Sequence, residues 1–224
     1  MKIGVICAIE REIELIRQDL NHTSQRRVGG VCVTESSMLS HTLLLTISGV
    51  GKTCAAMTAE ALITAFGCDL IINTGLAGGC DNRLRSGDAV LVEKAVYHDF
   101  DLGSLGGFDT FISGFHPYKN LIEIAEQTLI KLSIRFVSGI VASGDVFVSD
   151  RELKKSIISR TGCSCVDMEA AAIAHVASVN ELPFCIVKFI SDNADEEAKL
   201  DFETSLDSYS RHCAMFVREM VRTL

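Results

Sequence analysis

Several apolar runs in this chain end in residues able to hold a sugar or a flat base. Val166-Asp167-Met168-Glu169-Ala170-Ala171-Ala172 leads into an alanine-rich helical pattern. An ionised carboxylate accepts two hydrogen bonds at once, so Glu169 could chelate two adjacent ribose hydroxyls. It could equally be an exposed acid of a first helical turn. Asp167, at the helix entry, is suited to capping and to the helix dipole. In Ser143-Gly144-Asp145-Val146-Phe147-Val148 the aspartate suits a turn, and Phe147 reads either as core or as a stacking surface for a base. Ile190-Ser191-Asp192-Asn193-Ala194-Asp195 closes an apolar strand, which puts Asp192 at its carboxyl edge; helix capping is the plainer reading of the same residue. Asn73-Thr74-Gly75-Leu76-Ala77-Gly78-Gly79 also follows a buried strand. Its glycines would let a ligand approach the backbone on the edge where open α/β sheets bind their ligands.

Other motifs point away from chemistry. Gly49-Val50-Gly51-Lys52-Thr53 has the Gly-Lys-Thr of a P-loop, but Thr46 stands where that loop needs its first glycine, so a strand-to-helix turn is the better reading. His98-Asp99-Phe100-Asp101 would place alternate side chains on opposite faces of a strand, and the residues would not converge on a metal. Nine cysteines, an odd number and mostly in apolar runs, read as buried free thiols. Cys163 and Cys165 form C-x-C, with no second pair at zinc-finger spacing.

The elements that must position these residues alternate between strand and helix periods. Strand patterns are expected at Lys2–Ala8, Val31–Glu35, Thr42–Ser48, Asp69–Asn73, Ala89–Tyr97, Phe136–Ala142 and Phe184–Ser191. Helical patterns are expected at Ile9–Leu20, Lys52–Phe66, Asn120–Leu132, Asp150–Ser159, Met168–Val179 and Phe202–Leu224. Several strands follow one another without a helix, which predicts an α/β fold with a mixed central sheet flanked by helices. With two prolines and no polar linker, residues 1–224 read as one domain. The glycine-rich stretch 103–116 is the least regular and reads as a loop near a site or an interface.

Composition narrows the function. At 48% hydrophobic residues the chain can bury a large core, and no run is long enough to span a membrane. The apolar start is broken at once by Glu10, Arg11 and Glu12, so no signal peptide is expected, and a cytoplasmic location follows. A net charge of −8 without a basic stripe disfavours nucleic acid and an anionic membrane as partners.

Taken together and in order, MKIGVICAIEREIELI, SGVGK, INTGLAGG with GD at 87–88, YHDFD, SGDVFV, VDMEAAAIAHV and ISDNAD resemble the 5'-methylthioadenosine/S-adenosylhomocysteine nucleosidases, members of the purine nucleoside phosphorylase superfamily. The resemblance runs from Met1 to about Leu224 and is weakest at 103–118. It implies a nucleoside phosphorylase-like domain, a homodimer, an adenine nucleoside as ligand and release of adenine by hydrolysis, with no cofactor and no metal. It also implies roles. Glu12 would position and activate the attacking water. Asp192 would protonate the purine N7, with Ser191 beside it. Glu169 would accept the ribose diol, Met168 would lie against the sugar, and Phe147 would stack on adenine. Val148 would offer its backbone to the base, and Ala8, Ile9 and Val50 would lie near the sugar and its 5' substituent. A poor leaving group wants a carboxylic acid, and water wants a carboxylate to orient it, the same logic as the paired carboxylates of glycoside hydrolysis. Three positions depart from the family pattern. Leu76, near the sugar, replaces a hydroxyl residue; Lys188, read as substrate-binding, replaces an arginine that would help hold the attacking water and its glutamate; and Asp167 replaces a glutamate. A phosphorylase, a futalosine-type hydrolase and a non-catalytic nucleoside-binding relative are the competing readings; the missing hydroxyl at Leu76 and the negative charge of Glu12 speak against a phosphate site.

Overall fold

The computed structural model describes residues 1–18, 20, 23–100 and 114–224. Nine strands and six helices are present among them: β1 (Lys2–Cys7), α1 (Glu10–Gln18), β2 (Ser24–Val28), β3 (Val31–Met38), β4 (His41–Ile47), α2 (Lys52–Thr64), β5 (Leu70–Gly79), β6 (Ala89–Tyr97), α3 (Lys119–Lys131), β7 (Phe136–Ser143), α4 (Arg151–Thr161), β8 (Cys165–Asp167), α5 (Ala170–Val179), β9 (Phe184–Asp192) and α6 (Ala198–Thr223). Residues 103–113 of the irregular stretch lie outside the described part, as does Asp101. Phe115 beyond it pairs in an isolated bridge with Ala95.

The sheet order is β2-β3-β4-β1-β5-β8-β7-β6-β9, with β9 returning to pair with β5. β1 runs parallel to both β4 and β5, and β5 runs parallel to β9. β7 runs parallel to both β6 and β8, while β6 meets β9 and β8 meets β5 antiparallel. The sheet is therefore mixed, as expected, and its second half closes on itself as a ring of five strands. Closure buries both faces of β9, so that all nine of its residues are buried and its mostly apolar run is broken only by Lys188 before Ser191 and Asp192 end it.

Alternating side chains of β1 feed two apolar layers: Ile3, Val5 and Cys7 go to one, Ile6 to the other. Helices α2 and α5 cover the Ile6 side through Ala55, Ala59, Leu62 and the alanines of α5. Helices α1, α3 and α6 cover the opposite side through Ile13, Ile16, Leu121, Ala125, Leu129, Phe216 and Val217. The apolar stripe of α1 thus turns Ile13 and Ile16 inward, each burial contributing roughly 1.5–3 kcal/mol, and this fixes the rotation of the helix that carries Glu12.

Four details differ from the sequence expectations. β2 is an additional, fully exposed edge strand. β8 is a three-residue strand within the segment read as a helix entry. β5 continues through the glycine turn to Gly79. The last helix starts at Ala198, ahead of Phe202.

Candidate active site

The carboxyl ends of β1, β5, β8 and β9 lie side by side, and the turns leaving them enclose a cavity of about 210 Å³. Ala8, Ile9, Glu12, Val50, Leu76, Phe147, Val148, Met168, Glu169, Ser191 and Asp192 all line it. Of the residues given a part in binding or catalysis, Lys188 alone does not; it is buried and paired with Asp167, which does.

Glu12 is the third residue of α1. That position lets its carboxylate fold back on the helix start: Oε2 accepts from the backbone N–H of Ala8 (2.8 Å) and of Ile9 (3.1 Å). This is the returning half of a capping box, with a carboxylate filling orphan donors at a helix N-terminus. Oε1 accepts from the N–H of Leu76 at 2.8 Å, tying α1 to β5. Glycine at 75 is what admits it. A Cβ there would lie 2.6 Å from Oε1, and the residue holds φ +157°. Burial raises the Glu12 pKa above the ordinary carboxylate value; the charge of Lys188 and the three N–H groups oppose that rise without cancelling it.

Asp192 ends β9. Its Oδ2 accepts from the Ser191 hydroxyl at 2.6 Å and its Oδ1 from the Ala194 N–H at 2.8 Å. Burial again raises its pKa, against those two hydrogen bonds and helped by Asp201 and Asp195. A carboxyl group kept closer to its neutral form at the cavity wall is chemically a proton donor.

Glu169 precedes α5. Its Oε1 accepts from the Gly51 N–H at 2.9 Å, and Gly51 holds φ +99° as it starts α2. The half P-loop is thus a strand-to-helix turn whose first N–H groups are satisfied by acids, Gly51 by Glu169 and Lys52 by Asp145 Oδ1 at 2.8 Å. The Lys52 ammonium is spent on Asp99 at 2.6 Å. Glu169 is pushed up to about 7, first by burial and then by the charge of Asp167, with Lys188 and Gly51 pulling the other way.

Asp167 and Lys188 form a buried pair, Nζ to Oδ2 at 2.8 Å. The Asp167 carboxylate also takes the Ser143 hydroxyl and, at 2.9 Å, the Ala170 N–H. Its capping role at α5 is therefore real, and it lines the cavity as well. Burial alone would push the Lys188 ammonium down; Asp167, Glu169 and Glu12 outweigh it and hold the ammonium above its ordinary value. The four charged residues lining the cavity are all carboxylates, and Lys188 is the cation set among three of them.

Phe147 and Val50 stand half-exposed at the rim. Phe147 meets Phe202 edge to face, with centroids 6.0 Å apart. Phe202, Val146, Val166, Ala77 and Gly78 line the cavity without having been singled out in the sequence. A lone aromatic among the polar residues of the last helix's first turns is the one signal that could have marked Phe202. Of the histidine motif, His98 is buried, while Asp99 faces Lys52 and the Asp145 N–H. Among the described residues no three His, Cys, Asp or Glu side chains are grouped to hold a metal.

A model of the phosphorylase superfamily matches residues 2–222. The 5'-methylthioadenosine/S-adenosylhomocysteine nucleosidase of Bacillus cytotoxicus is 33% identical over the whole of both chains. Among solved structures, the corresponding nucleosidase of Neisseria meningitidis, in complex with methylthio-immucillin-A, superposes with a TM-score of 0.95 at 32% identity, covering 100% of this chain and 99% of that one. The native futalosine hydrolase of Helicobacter pylori superposes equally well, TM-score 0.95, at 28% identity over 100% of this chain and 98% of that one. With a mixed sheet closed behind a carboxylate-lined cavity and a match over nearly its full length, this chain belongs to the phosphorylase superfamily.

Proposed function

We propose that this protein is an N-glycosyl hydrolase that cleaves 5'-methylthioadenosine, S-adenosylhomocysteine or 5'-deoxyadenosine to adenine and the free pentose. The observation that carries the reading is one cavity with two differently held carboxyl groups: Glu12 on three backbone donors, Asp192 on one hydroxyl and one N–H. Glu12, ionised, takes a proton from water and directs its oxygen to the anomeric carbon. Asp192, protonated, gives its proton to the purine N7, so that the C–N bond breaks toward a neutral base. Glu169 receives the ribose hydroxyls, Met168 and Leu76 flank the sugar, and Phe147 stacks on the base. Ala8, Ile9 and Val50 border the 5' substituent. Positive charge developing on the ribosyl carbon is stabilised by carboxylates already in place.

Hydrolysis, rather than transfer to phosphate, is favoured by the wall itself, since the charged residues lining the cavity are acids and would repel a phosphate. The equal structural likeness to a futalosine hydrolase keeps a nucleoside with a larger 5' group as the second reading. The exposed apolar rim of Val50, Val146 and Phe147 suits a homodimer that covers the cavity mouth. No described helix is long and apolar enough to cross a membrane, in keeping with a cytoplasmic enzyme of nucleoside catabolism and methionine salvage. The deciding experiment is product analysis on methylthioadenosine with and without phosphate. Free pentose and adenine at an unchanged rate are expected; a phosphate-dependent rate giving ribose 1-phosphate would refute the reading.

A further inference from the structure

Three charged residues from separate motifs, none of them lining the cavity, meet beside it: Lys52 at the start of α2, Asp99 just after β6 and Asp145 in the turn after β7. The Lys52 ammonium contacts the Asp99 carboxylate at 2.6 Å and Asp145 Oδ2 at 3.6 Å. Two backbone donors close the triangle. The N–H of Lys52 donates to Asp145 Oδ1 and the N–H of Asp145 donates to Asp99 Oδ2, each at 2.8 Å. Two glycines admit this approach. A Cβ at Gly144 would lie 2.3 Å from His98 Cε1 and 2.9 Å from the Asp99 carboxyl carbon. A Cβ at Gly51, where φ is +99°, would lie 3.2 Å from Asp145 Oδ1. An exposed ion pair alone would do little. Here the Lys52 and Asp99 side chains are only 21% and 24% exposed, and two of the four links are hydrogen bonds from backbone N–H groups to carboxylates, the stronger charge-assisted kind. Burial pushes the Asp99 carboxyl up, but the Lys52 ammonium and the Asp145 N–H outweigh it and hold the group below its ordinary value.

The triangle holds the segment Gly144–Asp150, which is neither helix nor strand. Phe147 and Val148 lie on it and line the cavity. Its ends are tied down, since the Gly144 N–H donates to the Asp167 carbonyl at 3.1 Å and Asp150 caps α4. Between them Val146 and Phe147 stand half-exposed, so their own burial does little to fix the chain. Asp145, two residues before the Phe147 ring, is the point at which side chains from two other elements grip the turn. We propose that Asp99 is a positioning residue for the base: through the Lys52 ammonium and the Asp145 N–H it holds the Asp145–Val148 turn where Phe147 stacks on the purine and Val148 offers it a backbone. The proposal rests on the nucleosidase reading, in which Phe147 and Val148 take the base. Glu12 and Asp192 are held by Ala8, Ile9, Leu76, Ser191 and Ala194, none of which belongs to the triangle. Loss of Asp99 therefore removes binding that substrate and product share, which shows in KM rather than in kcat.

The test is steady-state release of adenine from 5'-methylthioadenosine by the full-length protein, together with inhibition by added adenine. Asp99→Ala should raise KM and weaken adenine inhibition by about tenfold or more, the worth of one hydrogen bond to a charged group, with kcat within a few-fold of the parent. Asp99→Asn keeps an oxygen to accept from Asp145 and loses the charge, so its constants should fall between those of parent and alanine variant. Lys52→Met keeps the backbone donor and loses the ammonium; it should shift both constants in the same direction, and adding it to Asp99→Ala should cost less than the two single effects together. Glu123→Ala, which removes the exposed pair with Lys119 on α3, is the control. A KM and an adenine inhibition constant for Asp99→Ala equal to those of the control would overturn the proposal. So would a fall in kcat at unchanged KM, the mark of a residue that only supports the fold. If Asp99→Ala does not fold, Lys52→Met decides by the same two constants. A folded parent that releases no adenine would instead overturn the nucleosidase reading, and the proposal with it.

Discussion

The place of the Glu12 carboxylate depends on a side chain that is not there, so Gly75→Ala is the sharpest perturbation of the site. A methyl group at 75 would lie 2.6 Å from Oε1, 3.0 Å from Cδ and 3.1 Å from Oε2 of Glu12, where ordinary contact begins at 3.4 Å. The carboxylate must retreat by the difference, 0.8 Å. Moved that far from Leu76, a 2.8 Å hydrogen bond becomes one of about 3.6 Å, outside the range in which it counts as a bond. The φ of +157° adds strain for any residue with a Cβ. The acid itself, its helix and its other two donors remain. A displacement near 1 Å costs about 10²-fold in a positioned reaction, so kcat for adenine release should fall by about that factor. Loss of one hydrogen bond to a charged group should cost about 1.5–3 kcal/mol of stability. Gly30→Ala is the control, because its Cβ would meet only the far end of Met57 at 3.8 Å. Turnover of Gly75→Ala within a few-fold of the Gly30→Ala control, in a protein that is folded by circular dichroism, would refute the role given to Glu12.

Four further outcomes are expected. Asp192→Asn should lose most activity on adenine nucleosides and less on an analogue whose leaving group needs no proton, and its kcat/KM should lose the alkaline limb that deprotonation of Asp192 gives the parent; equal losses on both substrates would make Asp192 structural. Glu169 is held at about 7 in the folded protein against 4.5 unfolded, so the native state binds the extra proton between those values, and the stability this group supplies should fall as pH rises from 4.5 through 7; a Glu169→Gln variant whose urea midpoint follows pH as the parent's does would contradict it. Lys188→Met leaves Asp167 buried without its cation and should cost about 3–5 kcal/mol, with Asp167→Leu added to it recovering much of that loss in urea unfolding. Ile13→Ala, emptying the buried stripe of α1, should cost about 2–5 kcal/mol by thermal unfolding, and a change under 1 kcal/mol would mean that α1 is not held by that contact.

What could be read in the sequence follows from which signals are local. The apolar run Phe184–Ser191 ends at Asp192, and strand ends are marked by composition, so the edge position of that acid was legible. The same holds for Glu169 at the entry of an alanine-rich helix. Glu12 was not legible from its own residue pattern: an acid in a first helical turn ordinarily faces solvent, and besides the local N–H groups of Ala8 and Ile9 it is held by the N–H of Leu76, brought by distant β5. β2 went unseen because all five residues of SQRRV are exposed and carry no alternation. Three residues are too few for β8 to show a period. The closure of β9 onto β5 is a pairing between segments more than a hundred residues apart, and neither segment encodes it locally. Lys188 was expected at the substrate, in the place of an arginine that helps hold the attacking water and its glutamate. The strand that carries it is buried on both faces once the ring closes, and Asp167 on neighbouring β8 takes its ammonium instead.

That exchange bears on how the site manages charge. Glu12, Asp167 and Glu169 share one buried ammonium, and the ammonium is hydrogen-bonded to Asp167, the acid with no assigned part in the chemistry. The pair Asp167–Lys188 is close to neutral as a unit, so Glu12 and Glu169 are left with only the longer-range attraction of Lys188 against full burial. Both are raised for that reason, and an empty cavity therefore holds its carboxylates under electrostatic tension. A neutral nucleoside does not relieve it. On the proposed mechanism a ribosyl group losing its base would, because the positive charge would then appear between the acids, where Coulomb attraction is weakly screened. Interactions that strengthen only as the bond breaks are the ones that raise kcat. An arginine at 188 bridging to Glu12 would hold that acid more firmly ionised and spend part of the same tension in the resting enzyme. With the cation given to Asp167, the relief is kept for the step in which the glycosidic bond opens.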